Sequence, residues 1–212
     1  MGVKLHGYWR SSAAYRLRIA LALKGVAYEQ VTHDLRTGEQ GADAYRALNP
    51  QGLVPALETG NGVIVQSPAI LEWIEERFPD PALLPAGADD RAAVRAMMAI
   101  VACDIHPLNN LRVQTMLRRD LGTADDAVAA WIARWIGDGF AALETLIARH
   151  GRGFAFGDAP GLADCVLVPQ VYSAERFAVD LTPYPALMAA ADRARALDAL
   201  AAAHPDRQPD AP

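Results

Sequence analysis

The sequence predicts two domains, a small α/β domain followed by an all-helical bundle. About the first eighty residues alternate between strand-like and helix-like segments, whereas the apolar periodicity after about residue 88 is helical. A segment rich in proline and glycine, FPDPALLPAGADD, lies between the two regions and is typical of a linker. We therefore expect an α/β domain over residues 1–83, a linker over 84–88 and a helical domain over 89–212.

The first domain is expected to run strand, helix, strand, helix, strand, strand, helix. The last two strands are joined by a turn containing Asn61-Gly62, a hairpin signal. Ser11 or Ser12 can cap the first helix, and Ser67-Pro68 opens the last one. The predicted strands are VKLHGY, residues 28–33, LVPALE and VIVQ.

The second domain is expected to hold four or more helices. Apolar periodicity runs through residues 89–118, 125–149, 162–177 and 185–202. The tail that follows, PDRQPDAP, is expected to be frayed. Cys103 and Cys165 lie in apolar helical stretches, and we expect both to be unreactive core residues.

Charge and composition exclude several classes of partner. The chain has 20 Lys and Arg against 25 Asp and Glu, a net charge of −5, so no general attraction to nucleic acid or to an anionic membrane is expected. We find no signal peptide and no apolar stretch of about 18 residues. Two cysteines without a CxxC motif fit a reducing compartment, which favours a cytoplasmic protein with no metal site.

Pro55 interrupts an otherwise strand-like run and cannot donate a hydrogen bond to a neighbouring strand. It therefore indicates either an ordinary trans proline at a sheet edge, which the dipeptide alone favours, or a cis Val54-Pro55 bond. The cis form would leave the amide and carbonyl of Val54 available to an extended peptide ligand.

Two helix starts in the first domain are candidate anion sites, because the first amides of a helix lack an intrahelical partner. They lie at Ser11-Ser12 and at Gln66-Ser67. A serine hydroxyl at such a position can donate to a thiolate and lower the pKa of the thiol. Helix capping alone also explains these serines.

Several blocks of the sequence resemble zeta-class glutathione transferases, and they span residues 8 to 185 in the family's order. WRSSAAYRLRIAL resembles the start motif, NPQGLVPAL the loop and cis-proline strand, and QSPAILEWIEE the helix that clamps glutathione. The others are CDIHPLNNLRV and the C-terminal signature FGDAPGLADCVLVPQVYSAERFAVDLTPYP. The resemblance implies a thioredoxin-like first domain, a helical second domain and a homodimer.

The resemblance also implies an activity. It identifies a glutathione-dependent cis–trans isomerase that converts a small maleyl-substituted dicarboxylate, maleylacetoacetate or maleylpyruvate, to its fumaryl isomer. Ser11, with Ser12 beside it, would activate the thiol of glutathione for addition to the double bond. An arginine would stabilise the charge that develops on the substrate carbonyl.

Site residues follow from the same alignment of motifs. Glutathione contacts fall on Gln40, Val54, Gln66 and Ser67, and His106 and Asn110, at helical i and i+4 spacing, border the same site. The substrate carboxylates would be held by arginine, whose guanidinium binds a carboxylate in two places. The three candidates are Arg10, Arg112 and Arg176, although each arginine also has an ordinary reading as a surface residue.

The chain departs from the family pattern at two positions. Ala13 replaces the cysteine that many members carry two positions after the first motif serine, so chemistry that needs this thiol is not expected. Gly161 stands where a Ser or Thr usually caps a helix, which leaves Asp164 as a structural capping residue.

Three other functions fit parts of the sequence. A broad transferase for electrophilic acids would share the thiol site but would not need three arginines. A non-enzymatic glutathione-binding protein need not keep Ser11, Gln66 and Ser67. A thiol oxidoreductase would need a cysteine at the start of the first helix.

Overall fold

The computed structural model describes residues 2–212, which form two compact units. The first unit holds the residues up to Leu83 together with Arg195–Pro212, and the second holds Leu84–Ala194. The division near residue 83 lies where the proline-rich segment falls in the sequence. The placement of residues 195–212 differs from the expected helical domain over 89–212, because the C-terminal segment packs with the first unit.

The first unit is built on a four-stranded sheet with the order β2-β1-β3-β4. The strands are β1 (Val3–Gly7), β2 (Tyr28–Thr32), β3 (Ala56–Thr59) and β4 (Gly62–Val65). β1 is parallel to β2 and antiparallel to β3, and β3 and β4 form the predicted hairpin. The predicted fold, a thioredoxin-like sheet followed by helices, is confirmed.

The helices of the first unit are α1 (Ser12–Leu23), α2 (Asp43–Leu48), α3 (Ser67–Arg77) and α9 (Asp198–Ala202). Both α3 and α9 pack against α1, whose residues from 12 to 21 are all buried. Gly25, with φ of 64°, follows the end of α1 in the left-handed region, where glycine carries no steric cost.

Pro55 precedes β3 instead of lying inside a strand, so its missing amide hydrogen costs the sheet nothing. The Val54-Pro55 bond is cis. The trans edge proline that the dipeptide alone favoured is therefore wrong, since β3 lies between two other strands, and the family motif gave the better prediction.

The second unit is helical. Its regular helices are α4 (Ala88–Ala99), α5 (Leu111–Thr115), α6 (Asp125–His150), α7 (Leu162–Arg176) and α8 (Pro185–Arg195), the last of which ends at the boundary between the units. The apolar periodicity over 185–202 corresponds to two helices, α8 and α9, because Leu197 has an extended backbone with ψ of 135°.

The helical periodicity over 89–118 also covers more than one helical segment. Residues Ile100–Ile105 and Met116–Asp120 widen into π-helix, and Pro107–Asn109 form a 3₁₀ turn. His106 therefore lies at the end of a π segment and Asn110 at the start of α5, so the expected shared helical face is wrong.

Cys103 lies within the first π segment and is exposed, contrary to the expected burial. Val101 and Ile105 are buried, and Cys103, two positions from each of them, lies on the opposite side of the helical segment. Cys165 is buried as expected.

The C-terminal tail is ordered by contacts within the first unit, so the expected fraying is wrong. Pro205 and Gln208 are buried. The Gln208 side-chain amide donates to the carbonyls of Ala202 and His204 at 3.2 and 2.9 Å.

Of the helices in residues 2–212, none is long and apolar enough to cross a membrane.

Asp164 has the structural role expected from the sequence. Its two carboxylate oxygens accept hydrogen bonds from the amides of Ala155 and Gly161, each at 2.9 Å, so it anchors the start of α7 without a capping side chain at Gly161. Burial raises the pKa of Asp164 to about 6, although the backbone hydrogen bonds from Ala155 and Gly161 favour the charged form.

Replacing Asp164 by asparagine should lower the free energy of unfolding by about 2 kcal/mol, because one buried amide would then face the NH₂ group of the new side chain. Chemical denaturation of the purified variant measures this loss. Asp158→Asn is the matched control, because Asp158 is exposed and should change stability by less than about 0.5 kcal/mol. Equal effects of the two substitutions would contradict this role for Asp164.

Candidate functional site

The register of the sheet brings three of the predicted site segments to one edge. His6 near the end of β1 pairs with Ala56 at the start of β3, and Ala56 pairs with Val65 at the end of β4. The turn into α1, the Val54-Pro55 bond and the turn into α3 therefore follow or precede neighbouring strand ends. This edge gathers Ser11, Val54, Gln66 and Ser67.

Ser11 is the capping residue of α1. Its hydroxyl oxygen accepts a hydrogen bond from the Ala14 amide at 3.2 Å, and its backbone is extended. A hydroxyl that accepts in this way keeps its own hydrogen for donation to a ligand. Ser12 begins the helix proper and is buried.

Arg10 immediately precedes this cap and is exposed. Its guanidinium carbon lies 5.6 Å from the centre of the Trp9 ring, so the two side chains stack. Trp9 is buried.

The start of α3 has the geometry of an anion site. Pro68 has no amide hydrogen, and the helical bonding begins with the Ile70 amide, which donates to the Gln66 carbonyl at 3.0 Å. Gln66 has φ of 71°, a left-handed conformation that is uncommon outside glycine. Its side-chain amide donates to the Gln51 side chain at 2.6 Å.

A buried cation lies beneath the start of α3. The guanidinium of Arg16, on α1, donates to the Ser67 hydroxyl at 3.0 Å, and both side chains are buried. The contact fixes the Ser67 side chain and places positive charge at a helix N-terminus that is already electropositive.

Val54 and Gln40 offer the polar atoms that a peptide ligand needs. Within residues 2–212, no hydrogen bond uses the amide or carbonyl of Val54, and the side-chain oxygen of Gln40 is buried without a partner. Gly52, at φ of 62°, approaches the Gln40 backbone so closely that a Cβ would lie 2.9 Å from its carbonyl oxygen. These polar groups are available to an extended peptide ligand.

An aromatic cluster supports the Val54 segment. The rings of His6 and His33 are joined by a 3.0 Å hydrogen bond, and the His33 ring packs at a tilt against Tyr45, with the ring centres 4.2 Å apart. Burial raises the pKa of Tyr45 to about 12, so its hydroxyl stays protonated and donates to the Leu53 carbonyl at 2.7 Å. The Asn49 side chain donates to the same carbonyl at 2.6 Å.

The second unit carries the two other candidate arginines. Arg112 lies in α5 and is exposed, and the Asn110 side chain accepts from its amide at 3.1 Å. Asn110 is thus a helix cap, a local reason for its presence. Arg176 ends α7, is exposed and stacks on the Phe177 ring at 4.6 Å.

Comparison with known proteins decides the family. Models of the glutathione S-transferase N-terminal and C-terminal domains match residues 1–76 and 125–197. A maleylpyruvate isomerase from Ralstonia sp is 55% identical over 211 residues, 98% of this chain and 99% of that protein. A solved maleylpyruvate isomerase of the zeta class superposes with a TM-score of 0.96 at 54% identity, covering 99% of this chain and 100% of the other. The chain belongs to the zeta class of the glutathione S-transferase family.

A maleylacetoacetate isomerase from Anaeromyxobacter dehalogenans 2CP-1, solved with glutathione in its active site, is 48% identical to this zeta-class chain. The match covers 100% of this chain and 98% of the other, with a TM-score of 0.90. A further structure of that protein holds dicarboxyethyl glutathione and citrate in the active site. Glutathione is therefore the cofactor of this zeta-class transferase.

Two polar residues near the proposed contacts were missed by the sequence analysis. Arg16 was missed because arginine is rarely buried. The signal that could have identified it is its position three residues before Ile19, which places it on the buried side of α1. Asn109 was missed because its neighbour Asn110 has the more regular spacing. Both polar atoms of the Asn109 side chain are buried without a partner among the described residues.

The histidine pair predicts a loss of stability in acid. Burial lowers the pKa of His6, with Lys4 acting in the same direction and the carboxylates of Glu58 and Glu29 opposing it. Burial, and then the charge of His6, lower the pKa of His33, with Glu39 opposing them. Below the ordinary histidine pKa of about 6.5, the histidines of the unfolded chain bind protons more readily than those of the folded chain. The contribution of this pair to the free energy of unfolding therefore decreases as the pH falls.

We therefore expect the histidine pair to make the free energy of unfolding fall more, or rise less, between pH 7.5 and pH 5.5 in wild type than in His33→Gln. Asp164 contributes in the opposite sense, because its raised pKa favours the folded state in acid, but this contribution is common to both proteins and cancels. Urea denaturation at each pH measures the difference. Equal pH slopes, or histidine rings that titrate by NMR at ordinary values, would refute the assignment.

Proposed function

We propose that this zeta-class transferase is a glutathione-dependent cis–trans isomerase of a maleyl-substituted dicarboxylate, maleylpyruvate or maleylacetoacetate. The observation that carries the proposal is the cap of α1, where the Ser11 hydroxyl accepts from Ala14 and keeps its hydrogen for a ligand. A hydroxyl that donates to the sulfur of glutathione stabilises its thiolate form. The reaction therefore needs no cysteine of the protein. Ala13 is thus compatible with isomerisation.

The chain's own polar groups fit the tripeptide. Val54 would pair its amide and carbonyl with the backbone of the cysteinyl residue, in the manner of an added strand. Gln66 and Ser67 would receive the γ-glutamyl carboxylate at the N-terminus of α3, with Arg16 beneath Ser67 adding positive charge. Gln40, His106 and Asn110 are the remaining proposed contacts.

When bound, glutathione supplies the thiolate that adds to the double bond of the substrate and is expelled after rotation about that bond. Ser11 donates its hydroxyl hydrogen to the sulfur, and the N-terminus of α1 adds a favourable dipole, so both lower the pKa of the thiol. Ser12, the first residue of α1, is the alternative donor.

The arginines are assigned to the substrate. Arg10, Arg112 and Arg176 are exposed and carry a permanent positive charge that suits carboxylates. An arginine that holds a carboxylate near the reacting carbonyl also stabilises the negative charge that develops there. A general transferase for apolar electrophiles has no such requirement, which favours the isomerase.

The maleylpyruvate form of the proposal rests on Arg112, because the NNLRV block resembles bacterial maleylpyruvate isomerases, although some bacterial enzymes assigned to maleylacetoacetate share this block. Maleylacetoacetate differs by a short carbon extension that the shape of the pocket must distinguish. We further propose a homodimer, as is typical of the family. We place the protein in the cytoplasm, where glutathione is kept reduced.

With saturating glutathione, the enzyme should consume the cis substrates at a rate that depends on glutathione, and kcat/KM should be higher for maleylpyruvate. Arg112→Ala should lower kcat/KM by about 10- to 100-fold, the loss of one charge-assisted carboxylate contact. Absorbance of the cis acids follows both effects.

Arg119→Ala is the matched control, because Arg119 is an exposed arginine of the neighbouring segment that pairs with Asp120. It should keep the wild-type rate. If neither substrate isomerises while chlorinated or other electrophilic acids are conjugated, the broad transferase replaces the isomerase. If glutathione binds and no reaction occurs, the protein is a binding protein.

A further inference from the structure

The turn that precedes Ser11 is held from both sides by charged side chains. The Ser11 amide donates to the Tyr8 carbonyl at 3.0 Å and closes a turn with Trp9 and Arg10 at its centre. The Trp9 amide donates to a carboxylate oxygen of Asp210 at 2.8 Å. The Trp9 carbonyl accepts from the guanidinium of Arg18 at 2.9 Å. Neither backbone group of Trp9 is used by the turn itself.

Both charged side chains tie this turn to the C-terminal segment, residues 203–210. Asp210 belongs to the segment, and its second carboxylate oxygen accepts from the Gln30 side chain on β2 at 2.9 Å. Arg18 is buried on α1, and its Nε donates to the Ala203 carbonyl at 3.0 Å. The C-terminal segment therefore contacts the turn directly through Asp210 and indirectly through Arg18.

We propose that the C-terminal segment positions the thiol-activating serine, with Asp210 and Arg18 as positioning residues that act through the backbone of Trp9. This inference rests on the proposed role of Ser11 and extends it. It assigns a function in the chemistry to a tail that follows the last helix and that is rich in proline and polar residues.

The geometry favours positioning over simple attachment of the tail. To attach the segment, Asp210 could accept a hydrogen bond from any exposed donor of the sheet. One of its oxygens instead accepts from the amide of Trp9, two residues before Ser11. Fixing both peptide groups of Trp9 limits how far the turn can move, and so fixes where the Ser11 hydroxyl points. Catalytic contacts are sensitive to such shifts, since a displacement of about 1 Å can cost about 100-fold in rate.

Asp210→Asn tests this directly. An asparagine keeps the size of the side chain but loses the negative charge, so its oxygen accepts from the Trp9 amide more weakly than a carboxylate does. Deletion of residues 209–212 is a second variant that removes Asp210 and retains the buried Gln208. Asp206→Asn is the matched control, because Asp206 lies in the same segment, is exposed and is 3.7 Å from His204.

Three measurements separate positioning from stability. Hydrogen exchange of the Trp9 amide in the protein without glutathione should accelerate about 10-fold or more in Asp210→Asn and in the deletion. The pKa of bound glutathione, followed by thiolate absorbance, should rise by about one unit, a tenfold change in ionisation. The kcat for isomerisation should fall about 10-fold with little change in KM for the acid.

If the midpoint of thermal unfolding falls while Trp9 exchange, the thiol pKa and kcat stay at wild-type values, the tail is only structural and the inference is wrong. The same effects in Asp206→Asn would also overturn it. Failure of the proposed isomerase is recognised separately, because wild type would then be inactive while Trp9 exchange and the thiol pKa still report on Asp210.

Discussion

The first amides of an α-helix have no partner within the helix, and this constraint determines where the first unit can bind a ligand. α1 follows β1 and α3 follows β4, and the register of the sheet aligns the ends of these strands with the start of β3. Two helix N-termini and the Val54 backbone therefore meet one edge of the sheet. Each offers polar groups that the fold itself leaves unsatisfied, and a charged tripeptide can satisfy them.

Positive side chains buried along α1 support this arrangement. Arg16 contacts Ser67 at the start of α3, and Arg18 joins Trp9 to Ala203. Lys24, at the end of α1, donates to Glu75 and to the Pro81 carbonyl, each at 2.6 Å. Buried charges are costly unless they are paired, so each fixes its partners in one geometry. One helix thereby connects the turn before Ser11, the helix α3 and the C-terminal segment.

The sequence predicted most of the first unit, because strands, caps and the Asn61-Gly62 turn are local features. The family motifs corrected the one local ambiguity, at Val54-Pro55. What could not be predicted depends on contacts distant in the chain. The anchoring of the tail needs Trp9 and Gln30, about 200 and 180 residues from Asp210. The π segments around Cys103 and Met116 could not be predicted from apolar periodicity. A π turn lengthens the hydrogen-bonded turn by only one residue, so the spacing of apolar residues hardly changes.

The most direct test of the account is the pKa of glutathione bound to wild type and to Ser11→Ala, measured from thiolate absorbance against pH. The account predicts a bound thiol well below the ordinary value of about 8.5 in wild type and a return toward that value in Ser11→Ala, with Ser12→Ala close to wild type. A thiol that titrates at its ordinary pKa in wild type, or that is unaffected by loss of the Ser11 hydroxyl, would contradict it.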